Sequence, residues 1–523
     1  MLRHFNVAGP CRPDMHYMIP AAPRLPEAPR LIEQLGYFVV HAPRQTGKTT
    51  TLRALAQKLT AEGRVAALHF SCEAGEAADD DYEEAQRGLL SRIRRDAERD
   101  LPSDLRPPPF PEAPASDLLG AALSAWARAC PRPLVLFFDE IDSLRGKSLL
   151  TVLRQLRAGY PHRPGDFPAS VVLCGLRDVR DYKAASGGDP GRLGTSSPFN
   201  IKLESMRLGN LAAEEIAGLF AQHTADTGQV FTPEAVARVA EVTGGQPWLV
   251  NALAREIVEK MGVPRTLPIT TAHVDEAKER LILARATHLD SLVAKLTEPR
   301  VRRVIEPLLA GGELAQDATY DDDLSYVCDL GLVLKRPLRI ANPIYKEVIA
   351  RVLSSRAEDR VTVEPRAFVL PDGRLAFRRM MRAFGRFWRE HGEMLATHMP
   401  YPEAGPQLVL MAFMQRVVNG GGYIDREYGI GRGRVDLLVR FPYAKSDGVR
   451  AEQRRAVEVK VWRKGEKNPL TKGLSQMDEY LSRLAMSRGT LVIFDARGRL
   501  ARQPVRQEDV QTPRGRQVRV MWA

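Results

Sequence analysis

The stretch that most constrains this chain is His41-Ala42-Pro43-Arg44-Gln45-Thr46-Gly47-Lys48-Thr49-Thr50. It follows the apolar run Tyr37-Phe38-Val39-Val40 and precedes a helix-like stretch from Leu52 to Leu59. Strand, tight polar loop and helix in that order are what a phosphate-binding loop needs. Backbone N–H groups of such a loop, and of the helix start behind it, point at phosphate oxygens, and the helix dipole favours the negative charge. Lys48 has the reach for the outer phosphates, and the Thr49 hydroxyl can hold Mg²⁺. Ala42 stands where a glycine usually opens the loop, and alanine is small enough to keep the turn. Residues Ala42 to Thr50 are therefore the candidate phosphate-binding set.

A second apolar run, Pro133-Leu134-Val135-Leu136-Phe137-Phe138, ends in Asp139-Glu140. A continuous apolar run of this length predicts a strand buried on both faces of a parallel sheet. Acids just past its carboxyl end fall where open α/β sheets bind ligands. Asp139 can hold Mg²⁺ and Glu140 can polarise an attacking water. Val171-Val172-Leu173-Cys174-Gly175 predicts another buried strand, with Arg177, Asp178 and Arg180 at its end as candidates to sense a terminal phosphate. The segment from Ser196 to Ile201, after a glycine-rich loop, is expected to close the sheet.

The charge is unevenly spread. The whole chain of 523 residues has a formal net charge of +12. Between Arg366 and Ala523 there are 30 Lys/Arg against 16 Asp/Glu, a local +14, so the remainder is slightly acidic. An asymmetry of this size points to a polyanionic partner for the last third, with nucleic acid first. At 44% hydrophobic and 27% charged the composition is that of soluble globular chains, and the length suggests three or four domains. No run approaches the roughly 18 apolar residues of a membrane helix, and the first residues lack the apolar segment of a signal peptide. Five scattered cysteines with no CxxC pair predict reduced thiols in a cytoplasmic protein without structural zinc.

Along the chain, residues 1–30 are Pro-rich and read as an irregular arm laid on the next domain. Glu214 to Lys260 is helical in pattern, interrupted by Gly244-Gly245-Gln246-Pro247, where Pro247 suits the first turn of a helix. Residues 296–351 read as helix, helix, short hairpin and helix, the pattern of a winged-helix module. Taken together, APRQTGKTT, LVLFFDEID, CGLRDVRDYK and GGQPWLV resemble AAA+-related P-loop ATPases. The likeness is greatest to the branch holding archaeal-type and signal-transduction ATPases. The resemblance implies ATP and Mg²⁺ as ligands, Glu140 as the catalytic residue that polarises the attacking water and Arg177 as a nucleotide sensor. It also implies a lid opened by the Gly245-Gln246-Pro247 turn, with Pro247 beside the nucleotide. An obvious arginine finger is absent, which argues against trans-acting hydrolysis in a ring; homo-oligomerisation stays open.

The basic third carries its own pattern. Glycines between two short strands predict a hairpin over Tyr423 to Val439, with Asp436 on the second strand. Ala456 to Trp462 supplies a third strand, on which Glu458 and Lys460 share a face because they are two residues apart. Two carboxylates and a lysine on one face can bind Mg²⁺ and activate water for phosphodiester attack. Downstream, Gln476 and Tyr480 share a helix face at i, i+4. Acid, ExK, then QxxxY, with strands between, resemble the PD-(D/E)xK nuclease superfamily, and the resemblance implies Asp436 and Glu458 as metal ligands, with Lys460 and Gln476 completing the site. Gln415 occupies the region where that fold often carries a metal-binding Glu.

The expected fold class is α/β. A P-loop NTPase parallel sheet with helical lid and winged-helix module is followed by an α/β PD-(D/E)xK nuclease-like domain. The expected segments are an arm (1–30), ATPase core (31–205), lid (206–293), winged-helix-like module (294–353), linker (354–376) and nuclease-like domain (377–523). DNA is the expected partner of the last, and no membrane association is expected.

Overall fold

The computed structural model describes residues 3–20, 22–177, 201–284, 289, 292, 294–309, 322–358, 364–397, 405–418, 422–430, 433–445, 449–497 and 505–523. The chain forms two compact units, Met1–Leu281 with Cys328–Gly331, and Ile282–Val327 with Leu332–Ala523. Among the described residues no helix is long and apolar enough to cross a membrane.

The first unit opens with a short helix, α1 (Ala28–Glu33), then β1 (Tyr37–His41) and α2 (Lys48–Ala61). Next come β2 (Ala66–Ser71), α3 (Tyr82–Asp100), α4 (Leu118–Ala129), β3 (Leu134–Asp139), α5 (Gly146–Gly159), β4 (Ser170–Gly175) and β5 (Lys202–Arg207). The strands pair in the order β2-β3-β4-β1-β5, all parallel. Because β1, β3 and β4 are central, both faces of each must be covered, which is why their sequences are continuously apolar. On one face Leu52, Leu55, Ala56 and Leu59 of α2, spaced three and four apart, pack with α1 against Phe38, Val40, Val135 and Phe137. On the other, α3, α4 and α5 cover Val39, Leu68, Leu136 and Leu173, with Trp126 fully buried. Each Leu buried this way contributes about 1.5–3 kcal/mol.

The closing strand lies at Lys202–Arg207, a few residues past the expected Ser196–Ile201, of which all but Ile201 falls outside the described residues. The Pro-rich stretch from Leu101 to Ser116 is anchored to the domain at two points. Leu105 is buried, its carbonyl accepts from Trp126 Nε1 at 3.0 Å, and Arg94 stacks on Phe110.

After the sheet come α6 (Ala213–Thr227), α7 (Pro233–Thr243), α8 (Pro247–Arg255) and α9 (Thr271–Leu283). The N-terminal arm is pinned to this helical part. Phe5 and Tyr17 are buried against Phe220, His223 and Phe231, and Arg3 pairs with Asp226 at 2.9 Å.

The second unit begins with α10 (Pro299–Leu309), α11 (Asp322–Asp329, whose last two residues belong to the first unit), the hairpin β6 (Val333–Lys335) and β7 (Leu338–Ile340), and α12 (Pro343–Glu358). Then follow α13 (Phe377–Thr397), α14 (Gly405–Val418), β8 (Tyr423–Ile430), β9 (Gly433–Ala444), β10 (Arg450–Arg463), α15 (Leu470–Arg483), β11 (Arg488–Ala496), β12 (Arg506–Gln511) and β13 (Gln517–Trp522). The sheet order is β12-β13-β11-β10-β9-β8, with β8, β9 and β10 antiparallel and β10, β11 and β13 parallel. Alternation fixes its two faces. Leu438, Ala456, Leu491, Ile493, Val518 and Val520 face Met477 and Leu481 of α15. Phe494 faces the other way, against Phe384 and Trp388 of α13.

Candidate functional site

In the first unit the loop between β1 and α2 is shaped by two residues with positive φ, Gln45 at +60° and Gly47 at +86°. Gly47 is the N-cap of α2, so Lys48 and Thr49 begin the helix and its unpaired N–H groups open onto the loop. Lys48 Nζ donates to Ala42 O at 2.7 Å and Pro43 O at 2.9 Å, and Thr46 Oγ1 donates to Pro43 O at 2.8 Å. The lysine thus lies folded back along the inside of the loop. Arg44 is exposed, and Thr50 Oγ1 accepts from Cys11 N of the arm at 3.0 Å.

The second half of this site comes from β2 and β3, paired so that Ser71 lies beside Asp139. Thr49 Oγ1 donates to Asp139 Oδ2 at 2.7 Å, and His69 Nε2 lies 2.9 Å from the same oxygen. Burial pushes the Asp139 carboxyl up, but His69, Thr49 and Cys174 more than offset it, leaving its pKa below the ordinary carboxylate value. Glu140 sits at φ +56°, a left-handed position that turns its side chain out of the strand line. Its carboxylate accepts from Ser71 Oγ at 2.5 Å. Burial raises the Glu140 pKa, Asp139 and Glu73 add repulsion, and the Ser71 hydroxyl opposes them. Two adjacent acids therefore have opposite shifts, one held ionised and one made more basic, which separates a ligand from a base.

The helical part reaches the loop through Gln246. Its Nε2 donates to Gln45 O at 3.3 Å, while its Oε1 caps α8 by accepting from Leu249 N at 2.6 Å. Pro247 sets the first turn of α8. Gly245 has φ +72°, and its carbonyl accepts from Leu211 N at 2.8 Å.

In the second unit Asp436 on β9 and Glu458 and Lys460 on β10 come together on the face covered by α15. Asp436 Oδ2 accepts from Val459 N at 2.8 Å, and Lys460 Nζ donates to Glu458 Oε1 at 2.7 Å. Glu458 is 1% exposed, and its Oε2 has no hydrogen-bond partner among the described residues. Burial, reinforced by Asp436, pushes its pKa up to about 7 against the pull of Lys460. Gln476 on α15 likewise has a buried Oε1 without a partner among the described residues. Gln415 is buried on α14. Among the described residues no group of three or more His, Cys, Asp or Glu gathers into a metal cage. Each site instead offers one or two carboxylates, the donor set that suits Mg²⁺ sharing its shell with water and phosphate.

Residues 32–182 match the family model described as an AAA domain. This segment is an AAA-type P-loop ATPase domain. Among solved structures the chain is similar to a Walker-type ATPase of Pyrococcus abyssi, at 12% identity and TM-score 0.47, over 66% of this chain and 99% of that one. It is similar to the RuvB Holliday junction branch migration motor of Thermotoga maritima at 14% identity and TM-score 0.35, over 63% of this chain and 93% of that one. It is similar to Cdc6p of Pyrobaculum aerophilum at 12% identity and TM-score 0.35, over 64% and 95%. No curated protein matches.

Within the AAA domain the structure gathers Lys48, Thr49, Asp139 and Glu140 as their spacing suggested. Arg177 lies past β4 with Nε 3.9 Å from Asp329 Oδ2; Asp178 and Arg180 fall outside the described residues. Three participants were missed. His69 and Ser71 lie on β2, whose apolar residues give no local sign of a polar site. Arg24, which donates to Thr46 O at 3.1 Å and Gly209 O at 2.6 Å, sits in a segment without periodicity. Of the Gly245-Gln246-Pro247 turn, the residue touching the loop is Gln246, with Pro247 shaping the helix behind it.

Proposed function

We propose that this chain is an ATP-driven switch whose second unit carries a Mg²⁺-dependent DNA-cleaving site of PD-(D/E)xK type. In the AAA domain, Lys48 and the α2 N-terminus would receive the phosphates, Thr49 and Asp139 would hold Mg²⁺, and Glu140 is placed to take the proton of an attacking water. Arg177 is the phosphate sensor, and Gln246 with Pro247 couples the bound nucleotide to the helices behind it. We read α10 to α12 with the β6–β7 hairpin as a winged-helix-like module between switch and output.

The observation that carries the cleavage reading is the convergence of Asp436, Glu458 and Lys460 with one carboxylate oxygen uncommitted. Burial and the neighbouring Asp436 charge disfavour the Glu458 anion and raise its pKa, and a cation bound between the two carboxylates would relieve both. Mg²⁺ bound by Asp436 and Glu458 would supply an activated water and neutralise phosphate charge. Lys460 Nζ then donates toward charge developing on the phosphate, and Gln476 Oε1 is an acceptor free to orient water or backbone. The +14 of the last third suits a DNA partner.

A second reading is favoured by Gln415, a neutral side chain where a third ligand would help. In it the domain binds DNA without cutting. Plasmid nicking with Mg²⁺ separates the two. Asp436→Ala and Lys460→Ala should each abolish cleavage and keep DNA affinity. Equal nicking by wild type and both variants would sink the nuclease assignment, and no nicking by wild type would favour the binding-only reading.

A further inference from the structure

We propose that the second unit holds DNA by its phosphate backbone in an arginine groove on the sheet face opposite Asp436, Glu458 and Lys460. The strand pairing fixes the faces. Ala456 pairs with Gly489, so Glu458 and Lys460 point toward α15 with Leu491 and Ile493. Arg455 points the other way and lies beside Arg488 of β11, which neighbours Gln517 of β13, two residues before Arg519. On that side a groove of about 440 Å³ runs between the sheet and the start of α13. Arg455, Arg488 and Arg519 line its floor, and Arg378, Arg379 and Arg382 line its wall.

The charge in this groove is not balanced from within. Its one lining acid, Asp509, is shared between Arg519, through contacts of 2.9 and 2.6 Å, and Arg378 at 3.8 Å, one negative charge against six lining arginines of floor and wall. Arg374 at the rim is paired with Asp372. Among the described residues Arg382, Arg455 and Arg488 have no carboxylate within 4 Å. Burial, then the charges of Arg374 and Arg488, depress the Arg455 guanidinium. Like charges packed around a partly desolvated guanidinium raise the energy of the protein alone and favour a bound anion.

A polymer fits better than a small anion. From the groove wall the charge continues along α13, Arg378 and Arg382 within the groove and Arg386 and Arg389 beyond it, all exposed and spaced four, four and three apart. That spacing keeps them on one side of the helix over about 16 Å. Phosphates of one strand recur about every 3.4 Å along a duplex axis, so the stripe spans about five. A free polyphosphate would fill the groove and leave the stripe empty.

The inference rests on the DNA partner proposed above, not on cleavage: the segment held in this groove lies across the sheet from Asp436, Glu458 and Lys460 and is not the one they would cut, so holding is tested without cutting. Anisotropy of a fluorescein-labelled random-sequence duplex, titrated with the full chain in EDTA across a salt series, gives affinity and its salt slope. Arg382→Ala/Arg386→Ala/Arg488→Ala should weaken binding at every salt and flatten the slope of log K against log salt by about 2–3. Arg64→Ala/Arg154→Ala/Arg157→Ala in the first unit removes the same charge and should leave the slope unchanged. A wild-type slope in the groove variant, or equal flattening in both, would overturn the groove. Displacement of duplex by inorganic tripolyphosphate at matched phosphate concentration would overturn the polymer assignment. Lys460→Ala should bind as wild type here whatever its effect on nicking, so the two readings fail separately.

Discussion

Gly245→Ala should damage the ATPase unit out of proportion to one methyl group. Gly245 has φ +72°, and a Cβ there would lie 2.1 Å from Leu211 O and 3.1 Å from Leu211 C. The obstacle is backbone, so no rotamer change relieves it. A non-glycine residue at positive φ costs about 1–2 kcal/mol, and overpacking adds about 1–3 kcal/mol. Moving the 211 strand of chain away also weakens the Leu211 N to Gly245 O hydrogen bond, about another 1 kcal/mol. The expected loss is about 3–6 kcal/mol, a large fraction of a domain's stability. Gly228→Ala is the control, because Gly228 has φ +77° and open space around a Cβ. It should lose only the φ contribution, about 1–2 kcal/mol. Amide hydrogen exchange over Pro247–Arg255 in full-length variants reads this locally, and ATP affinity reads it functionally through Gln246. Equal destabilisation by the two substitutions, or Gly245→Ala exchanging and binding ATP as wild type, would refute the packing argument.

Two further outcomes follow from the first unit. Lys48→Ala should lose ATP binding, while Glu140→Gln should keep it and turn over about 10²–10⁴-fold more slowly, the usual worth of a general base; filter binding and phosphate release measure both. His223 is buried against Phe5 and Tyr17, and burial lowers its pKa, assisted by Arg265 and opposed by Gln229 and Asp226. The unfolded chain therefore takes up its proton first as pH falls below 6.5, so stability is fully present above that pH and is lost on acidification. His223→Gln should flatten this dependence in urea titrations between neutral and mildly acidic pH, and an unchanged slope would contradict it.

The parts of the fold legible in the sequence are those set by local chemistry. Tyr37 to Thr50 could be read because a buried strand, a glycine at positive φ and a helix start are each local demands. Glu458 and Lys460 could be read because a strand places alternate residues on one face. What was hidden depends on distant partners. His69 is identical in sequence terms to a core histidine until β2 pairs with β3 and brings it to Asp139. Residues 1–30 lack periodicity because their order comes from Phe220, His223 and Thr50, not from neighbours in the chain. β12, with the sequence Arg-Gln-Glu-Asp-Val-Gln, is an edge strand whose polar residues gave no apolar run to follow. The arginine groove was visible only as net charge, since its members come from α13, β10, β11 and β13.

The link between ATP and cleavage is tested most directly by plasmid nicking with Mg²⁺, with and without ATP, in wild type, Lys48→Ala and Glu140→Gln. If the nucleotide controls the output, ATP should change the wild-type rate, Glu140→Gln with ATP should hold one extreme of that range, and Lys48→Ala should ignore ATP. Identical nicking by all three proteins in both conditions would contradict the switch.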